Sequence, residues 1–430
     1  MGLWKTALFF SCFALCACLA EPRHVEWGVS IVQTQDNGFV VVGKTTQNDI
    51  GGHNALVLKL DAFGQIQWGK TLGGIFNETA YSVIETPDSS LLLSAQTSSF
   101  GAGNEDMWII KLDKNGHIIW QKSLGGKETD WAHSIVSTTD GGFVVAGHTS
   151  SFGGALMWIV KFNANNEIVW QKTLGNPPNT EYSASAIIET KDNGLVVVGK
   201  TSLKMFVAKL DADGNPIWQK LVGSSLGWDT ASSVSETPDG GIVVLGITTA
   251  GEGESWNMLV LKFDRDGNLI WEKTIGNSRN TWAGAIMINQ DGRIVLTGST
   301  QPSNLDWTHV GIVLELDENG VLVTQNAAGG QYVDRPFAIV QIKEGNYVFT
   351  GYTASFGENP GTEKMWIVQS KVDGTLPTVC KTTAQIQVSD VTRDVGNASS
   401  TEIKQSNAVL NDTKAAALPF TAAPIIHWGD

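Results

Sequence analysis

The chain has 430 residues, with 43 Asp and Glu against 29 Lys and Arg, and its formal charge of −14 excludes nucleic acid and anionic membrane as partners held by charge. With 47 glycines and 16 tryptophans at ordinary hydrophobicity, the composition points to many short strands joined by tight turns. Of the four cysteines, Cys12, Cys16 and Cys18 sit at the amino end and Cys380 stands alone, which excludes an internal disulfide framework in the rest of the chain.

Met1 to Ala20 carries one lysine, an apolar run from Ala7 to Ala17 and a small-residue end before Glu21. This pattern predicts a secretory signal peptide over 1–20, since the run is too short to cross a bilayer. Leu15-Cys16-Ala17-Cys18 also matches a bacterial lipobox, in which Cys18 would carry the lipid. The expected location is therefore secreted or extracytoplasmic (periplasm or cell surface), with membrane contact only if Cys18 is lipidated. The sequons at Asn77, Asn397 and Asn411 become glycosylation sites in a eukaryotic host.

From Glu26 onward a motif of roughly 50 residues recurs seven times. Its clearest phrase runs from Asp140 to Thr149, and it returns around Gly43, Ala95, Gly199, Gly246, Gly298 and Gly351, each followed two places later by Thr. In the third copy four runs read as strands: Ala132 to Thr138, Phe143 to Thr149, Met157 to Phe162 and Glu167 to Thr173. Turn residues separate them, and in other copies the turn between the last two is Asp-x-x-Gly, as in Asp113 to Gly116, which is tight-hairpin chemistry. Four short strands per unit predict an all-β fold, a seven-bladed β-propeller over 26–383 that closes radially. The Trp after each hairpin (Trp68, Trp120, Trp170, Trp218 and Trp271) is expected to fill the gap between neighbouring blades. Thr324 and Thr378 stand in its place in copies six and seven.

The run L-D-x-x-G-x-x-x-W, as in Leu112 to Trp120, resembles the tryptophan-docking motif of quinoprotein-like propellers, a group that includes pyrroloquinoline-quinone dehydrogenases and the outer-membrane barrel-assembly lipoprotein. The D-G-G-F-x-V-x-G-x-T phrase is similar to secreted bacterial and archaeal β-propeller repeat proteins. The resemblance covers about Glu26 to Thr383 and implies the fold. As alternatives it implies a quinone-dependent enzyme or an envelope-assembly lipoprotein. The lone Cys380 and the seven blades depart from the dehydrogenases, which use an adjacent-cysteine disulfide and eight blades.

Residues 384–430, rich in Ala, Ser, Thr, Asn and Asp without sustained periodicity, read as a mostly flexible tail whose end, Ile425 to Trp428, is apolar enough for a short docked strand. Aligning the copies on the first strand gives a column of Glu26, Glu78, Asp130, Tyr182, Asp229, Thr281 and Asp334, followed by small residues that suit the crowded axis. That makes this strand innermost and places the acidic column near a mouth of the central channel. There it either accepts backbone N–H bonds or holds a cation, calcium being the candidate, or a basic partner. Asp211-Ala212-Asp213-Gly214 and Asp264-Arg265-Asp266-Gly267 lack the further ligands of a calcium loop and read as turns. The seven histidines share no column, and Gly223 to Gly227 matches a nucleophile elbow by letter but precedes a strand.

The sequence thus contains no catalytic set, and no cofactor is expected. The expectation is a non-catalytic propeller that recognises a protein or glycan. Strand alternation puts the second-to-third strand loops and the blade connections on one face, with Asp49, Glu105, Asp106, Glu252, Glu254, Trp256, Asp306, Trp307, Glu358 and Glu363. That face is expected to be acidic and aromatic and to carry recognition.

Overall fold

The fold is described from a computed structural model, which covers residues 24–46, 52–175, 180–223, 227–249, 255–277, 279–302, 308–357, 360–370 and 375–376, together with the backbone of six short strands beyond residue 386. Leader residues, Cys18 included, lie outside the described residues.

Seven sheets stand around one axis, antiparallel throughout except for the last strand of blade 7. Blade 1 consists of Glu26–Gln33, Phe39–Thr45, Asn54–Leu60 and Ile66–Gly73, and the same order from inner to outer strand repeats in each unit. The second and third strands are buried along almost their whole length, because neighbouring blades cover both of their faces. Each inner strand carries a bulge, as between Gly28 and Ser30. A Cβ on Gly43 would lie 1.8 Å from the Trp27 carbonyl oxygen, so the bulge explains the glycine of the repeated phrase.

The hairpin between the first two strands is held from below by a lysine that the repeat keeps on the third strand. Lys59 Nζ donates to Thr34 Oγ1 and Asp36 Oδ1, both at 2.8 Å, and Lys161 Nζ donates to Thr138 and, at 2.8 Å, to Asp140. Burial opposes ionisation at Asp140, but the Lys161, Thr138 and Gly142 bonds outweigh it and bring the carboxyl down to about 2. In blade 6 the charge is reversed. Glu315 replaces the lysine, Arg293 Nη1 donates to it at 3.1 Å, and the Tyr347 hydroxyl of blade 7 donates at 2.7 Å.

Docking tryptophans join successive blades. Trp68 Nε1 donates to the Lys114 carbonyl (3.1 Å) and Trp218 Nε1 to that of Arg265 (3.1 Å), each in the hairpin of the next blade. A Cβ added to Gly116 or Gly267 would strike the ring. Blade 3 has Asn166, at φ 63°, in the place of that glycine, and Trp120 Nε1 finds no partner. These tryptophans are half-buried; the fully buried ones are Trp108, Trp158 and Trp366 on the third strands.

The ring closes between blades 7 and 1. Gly28 packs so tightly on blade 7 that a Cβ would meet Thr350 Oγ1 at 2.1 Å, and Trp27 stacks on Tyr352 at 4.9 Å. Among the described residues blade 7 supplies three strands of its own over the repeat, Asp334–Gln341, Tyr347–Thr353 and Lys364–Gln369. Its fourth is Ile425–His427, docked in parallel, as the apolar end of the tail predicted. Before reaching it, the tail runs backward around the ring. Gln387–Asp390, Val395–Asn397, Glu402–Gln405, Val409–Asp412 and Ala416–Pro419 each add a fifth strand, to blades 5, 4, 3, 2 and 1 in turn. Val388, Val395, Ile403, Leu410 and Ala417 pair with Ile275, Val222, Leu174, Leu124 and Leu72, advancing by seven or eight residues per blade. That is a period the sequence reading missed.

Candidate binding face

At the start of every inner strand, a backbone N–H donates to the carbonyl just ahead of the third strand in the preceding blade. The seven bonds, from Glu26 to Glu363 and from Glu78, Asp130, Tyr182, Asp229, Thr281 and Asp334 to His53, Glu105, Ala155, Leu203, Trp256 and His309, measure 2.7–3.1 Å. The blade connections and the second-to-third strand loops are therefore tied into one rigid rim.

The acidic column lies beneath that rim instead of opening on the channel. Glu26, Glu78, Asp130, Asp229 and Asp334 are all 0% exposed. Cross-strand register sets each opposite the Thr that ends the second strand, Glu26 opposite Thr45 and Asp130 opposite Thr149. Asp130 accepts from Thr149, from Ser151 Oγ at 2.7 Å and from Gly126 N at 2.8 Å, and Asp334 accepts from Thr353, Ser355 Oγ (2.7 Å) and Gly330 N (2.8 Å). Glu78 takes Gly74 N at 2.9 Å and Thr97 Oγ1 at 3.1 Å. The same serines accept from the connectors: Ser99 from Phe76 N (2.9 Å), Ser151 from Glu128 N (3.1 Å) and Ser355 from Tyr332 N (2.9 Å). Glu78, Asp130 and Asp334 are thus buried clamps that fix their connectors. The Glu78, Asp130 and Asp334 oxygens are taken by N–H and O–H donors, which does not fit calcium at these three, and among the described residues no three His, Cys, Asp or Glu converge on a metal position. The Asp211 and Asp264 turns are occupied in the same way, each Oδ1 accepting two backbone N–H groups.

The serine belongs to a Ser-Phe-Gly tripeptide repeated at Ser99, Ser151 and Ser355, which the sequence reading took only as turn residues between strands. Its phenylalanine packs on the buried third-strand Trp: Phe100 on Trp108 at 5.6 Å and Phe152 on Trp158 at 5.3 Å. The tripeptide's recurrence was the available signal.

On the rim, large apolar side chains stand in solvent. Ile75 (61%), Phe76 (53%), Trp228 (57%) and Tyr332 (44%) lie on connectors, and Leu203 lies on a loop beside Trp228. The expected acidic character is weaker than its residue list. Glu105 takes Trp131 Nε1 at 2.6 Å, Glu363 takes Trp27 Nε1 at 2.7 Å, and Asp106 is buried and pushed up to about 6 by that burial. Trp256 is half-buried and stacks on Trp282 at 5.3 Å. Asp49, Glu252, Glu254, Asp306, Trp307 and Glu358 lie outside the described residues. Asn77 is exposed on a connector, while Asn397 and Asn411 fall within tail strands paired to Lys220 and Ser123.

The chain matches no protein-family model and no curated protein. Among solved structures it is similar to the WD40 domain of Neurospora crassa Pan2 (11% identity, TM-score 0.46, covering 77% of this chain and 93% of that one). It is similar to Chaetomium thermophilum Sqt1 bound to the N-terminus of ribosomal protein L10 (12%, 0.45, 76% and 94%) and to a Xanthomonas campestris gluconolactonase (12%, 0.39, 78% and 97%). At these identities the likeness is one of fold.

Proposed function

We propose that this is a non-catalytic binding propeller that takes a protein partner on the connector face, outside the cytoplasm. The carrying observation is the exposed apolar set Ile75, Phe76, Trp228 and Tyr332 on connectors and Leu203 on the adjoining loop, all on one face, with the Phe76, Trp228 and Tyr332 backbone N–H groups held by Ser99, Thr249 and Ser355. Large apolar groups held in solvent on a rigid frame lower the entropy cost of binding and mark interaction surfaces. Aromatic residues so placed are the usual anchors of protein interfaces. The leader-like first twenty residues support an extracytoplasmic location, with membrane attachment only through Cys18.

The test is site-directed photocrosslinking in the host, with the probe at Phe76, at Trp228 and, on the opposite face, at Phe63. A common adduct from the first two and none from Phe63 supports the reading. Adducts from Phe63 alone refute it. Mass spectrometry of the mature amino terminus, starting at Glu21, at a lipidated Cys18 or at Met1, decides the location.

A further inference from the structure

Where blades 5, 6 and 7 meet at the rim, three nitrogen atoms are buried with no hydrogen-bond partner: Trp282 Nε1, His309 Nδ1 and Arg335 Nε. The rest of the ring shows what is missing. The second residue of the inner strand is Trp27 in blade 1, Trp131 in blade 3, Trp282 in blade 6 and Arg335 in blade 7. Trp27 and Trp131 each donate their indole N–H to a carboxylate at the third-strand entrance of the preceding blade, Glu363 at 2.7 Å and Glu105 at 2.6 Å. The equivalent entrance residue facing Trp282 is Trp256, and the one facing Arg335 is His309. Both acids are therefore replaced at two consecutive seams, while the donors remain.

The replacements make a coherent site. Arg335 lies over the Trp282 ring at 5.1 Å, and Trp256 stacks on the same ring at an interplanar angle of 20°. His309 sits beside Arg335, its backbone carbonyl accepting from Asp334 N at 2.8 Å, and burial with the Arg335 charge lowers its pKa to about 4, so it is neutral near pH 7. In a chain with 43 acidic residues, a guanidinium and an indole with no acid bonded to them among the described residues are conspicuous. Orphaned buried donors are rare and costly, and a single carboxylate can satisfy several.

We propose that this seam is a carboxylate socket. An acidic side chain of a partner protein reaches the edge of the Trp282–Arg335 stack and takes the place that Glu105 and Glu363 hold at the indole N–H of the other seams. The inference rests on the reading of this face as a protein-binding surface, and it reverses the expectation of a basic partner.

The test follows tryptophan indole N–H signals by NMR in protein labelled at Trp, with Trp282 assigned through Trp282→Phe. The probes are acetyl-Ala-Glu-Ala-amide, its Gln counterpart, and sodium acetate. The Glu peptide is expected to shift Trp282 and leave Trp27 and Trp131 unmoved, the Gln peptide to do nothing, and Arg335→Gln to weaken the effect by roughly tenfold or more. Acetate acting as well as the Glu peptide would show a site for any free carboxylate and overturn the assignment to a protein side chain. Equal response to Glu and Gln peptides, or none up to millimolar concentration, overturns the socket. So does a Trp282 signal that moves only on Asp306→Asn, which would mean this chain fills the place itself. Photocrosslinking at Phe76 and Trp228 is unaffected by Arg335→Gln if the face binds and only the socket is wrong, so the two failures are distinguishable.

Discussion

Glu26 is fully buried at the seam between blades 7 and 1, neither carboxylate oxygen has a hydrogen-bond partner, and the nearest cation, Lys364 Nζ, is 3.8 Å away. Glu78, Asp130 and Asp334 escape this position because a serine and a connector N–H reach them. Burial, only partly offset by Lys364, pushes Glu26 from an ordinary 4.5 to about 7, which corresponds to about 3 kcal/mol. The sign follows from proton counting. Between pH 4.5 and 7 the folded chain keeps a proton that the unfolded chain has lost, so this group's contribution falls as pH rises through that window and is flat above it. Glu26→Gln mimics the protonated form at every pH. Urea unfolding at pH 5, 6, 7 and 8 should find the variant ahead by about 1 kcal/mol at pH 5 and by about 3 kcal/mol at pH 8. A difference independent of pH, or a wild type that leads at pH 8, would show the carboxylate to be charged and paired, and the argument would fail.

Trp158→Ala empties a fully buried site and should cost about 3 to 5 kcal/mol, whereas half-buried Trp170→Ala should cost about 1 to 3, both read by urea unfolding. The fully docked Trp170 that the sequence suggested would make the two equal. Asp130→Asn should lower the melting temperature by weakening the Thr149 and Ser151 clamp, and calcium should raise the wild-type value no further than a matched ionic-strength control. Removing residues 384–430 takes the fourth strand from blade 7 and the fifth from blades 1 to 5. Hydrogen exchange should then quicken in Lys70–Gly73, Lys122–Gly125 and Lys172–Gly175 while the inner strands stay protected.

The blades were legible because every strand is short, turn-bounded and repeated seven times, so errors in one copy were corrected by the others. The docking tryptophans were legible too, because Asp-x-x-Gly fixes the hairpin that each one covers. The role of the acidic column was less so. The acids and the Thr that ends the second strand recur 19 residues apart, as in Glu78 with Thr97, and antiparallel pairing across a hairpin must set them face to face. Small neighbours suggested the innermost strand and a place near a mouth of the channel, whereas the bulge and the clamp bury the carboxylate. The tail's period escaped because it is set by the ring: one residue per blade pairs with an outer-strand Leu, Ile or Val, which leaves no amphipathic signature in the tail alone. Nor could the bare donors of Trp282, His309 and Arg335 be foreseen, since the missing acids show only when seams are compared in space.

The measurement closest to the central claim is quantitative affinity capture from the host's envelope and extracellular fractions. It compares the wild type, the connector-face variant Phe76→Ser with Trp228→Ser and Tyr332→Ser, and the opposite-face variant Phe63→Ser, all first shown to melt alike. The account predicts a partner enriched equally by the wild type and the Phe63 variant and lost from the triple variant. A partner retained by the triple variant, or lost with Phe63→Ser, would place recognition elsewhere on the propeller and contradict it.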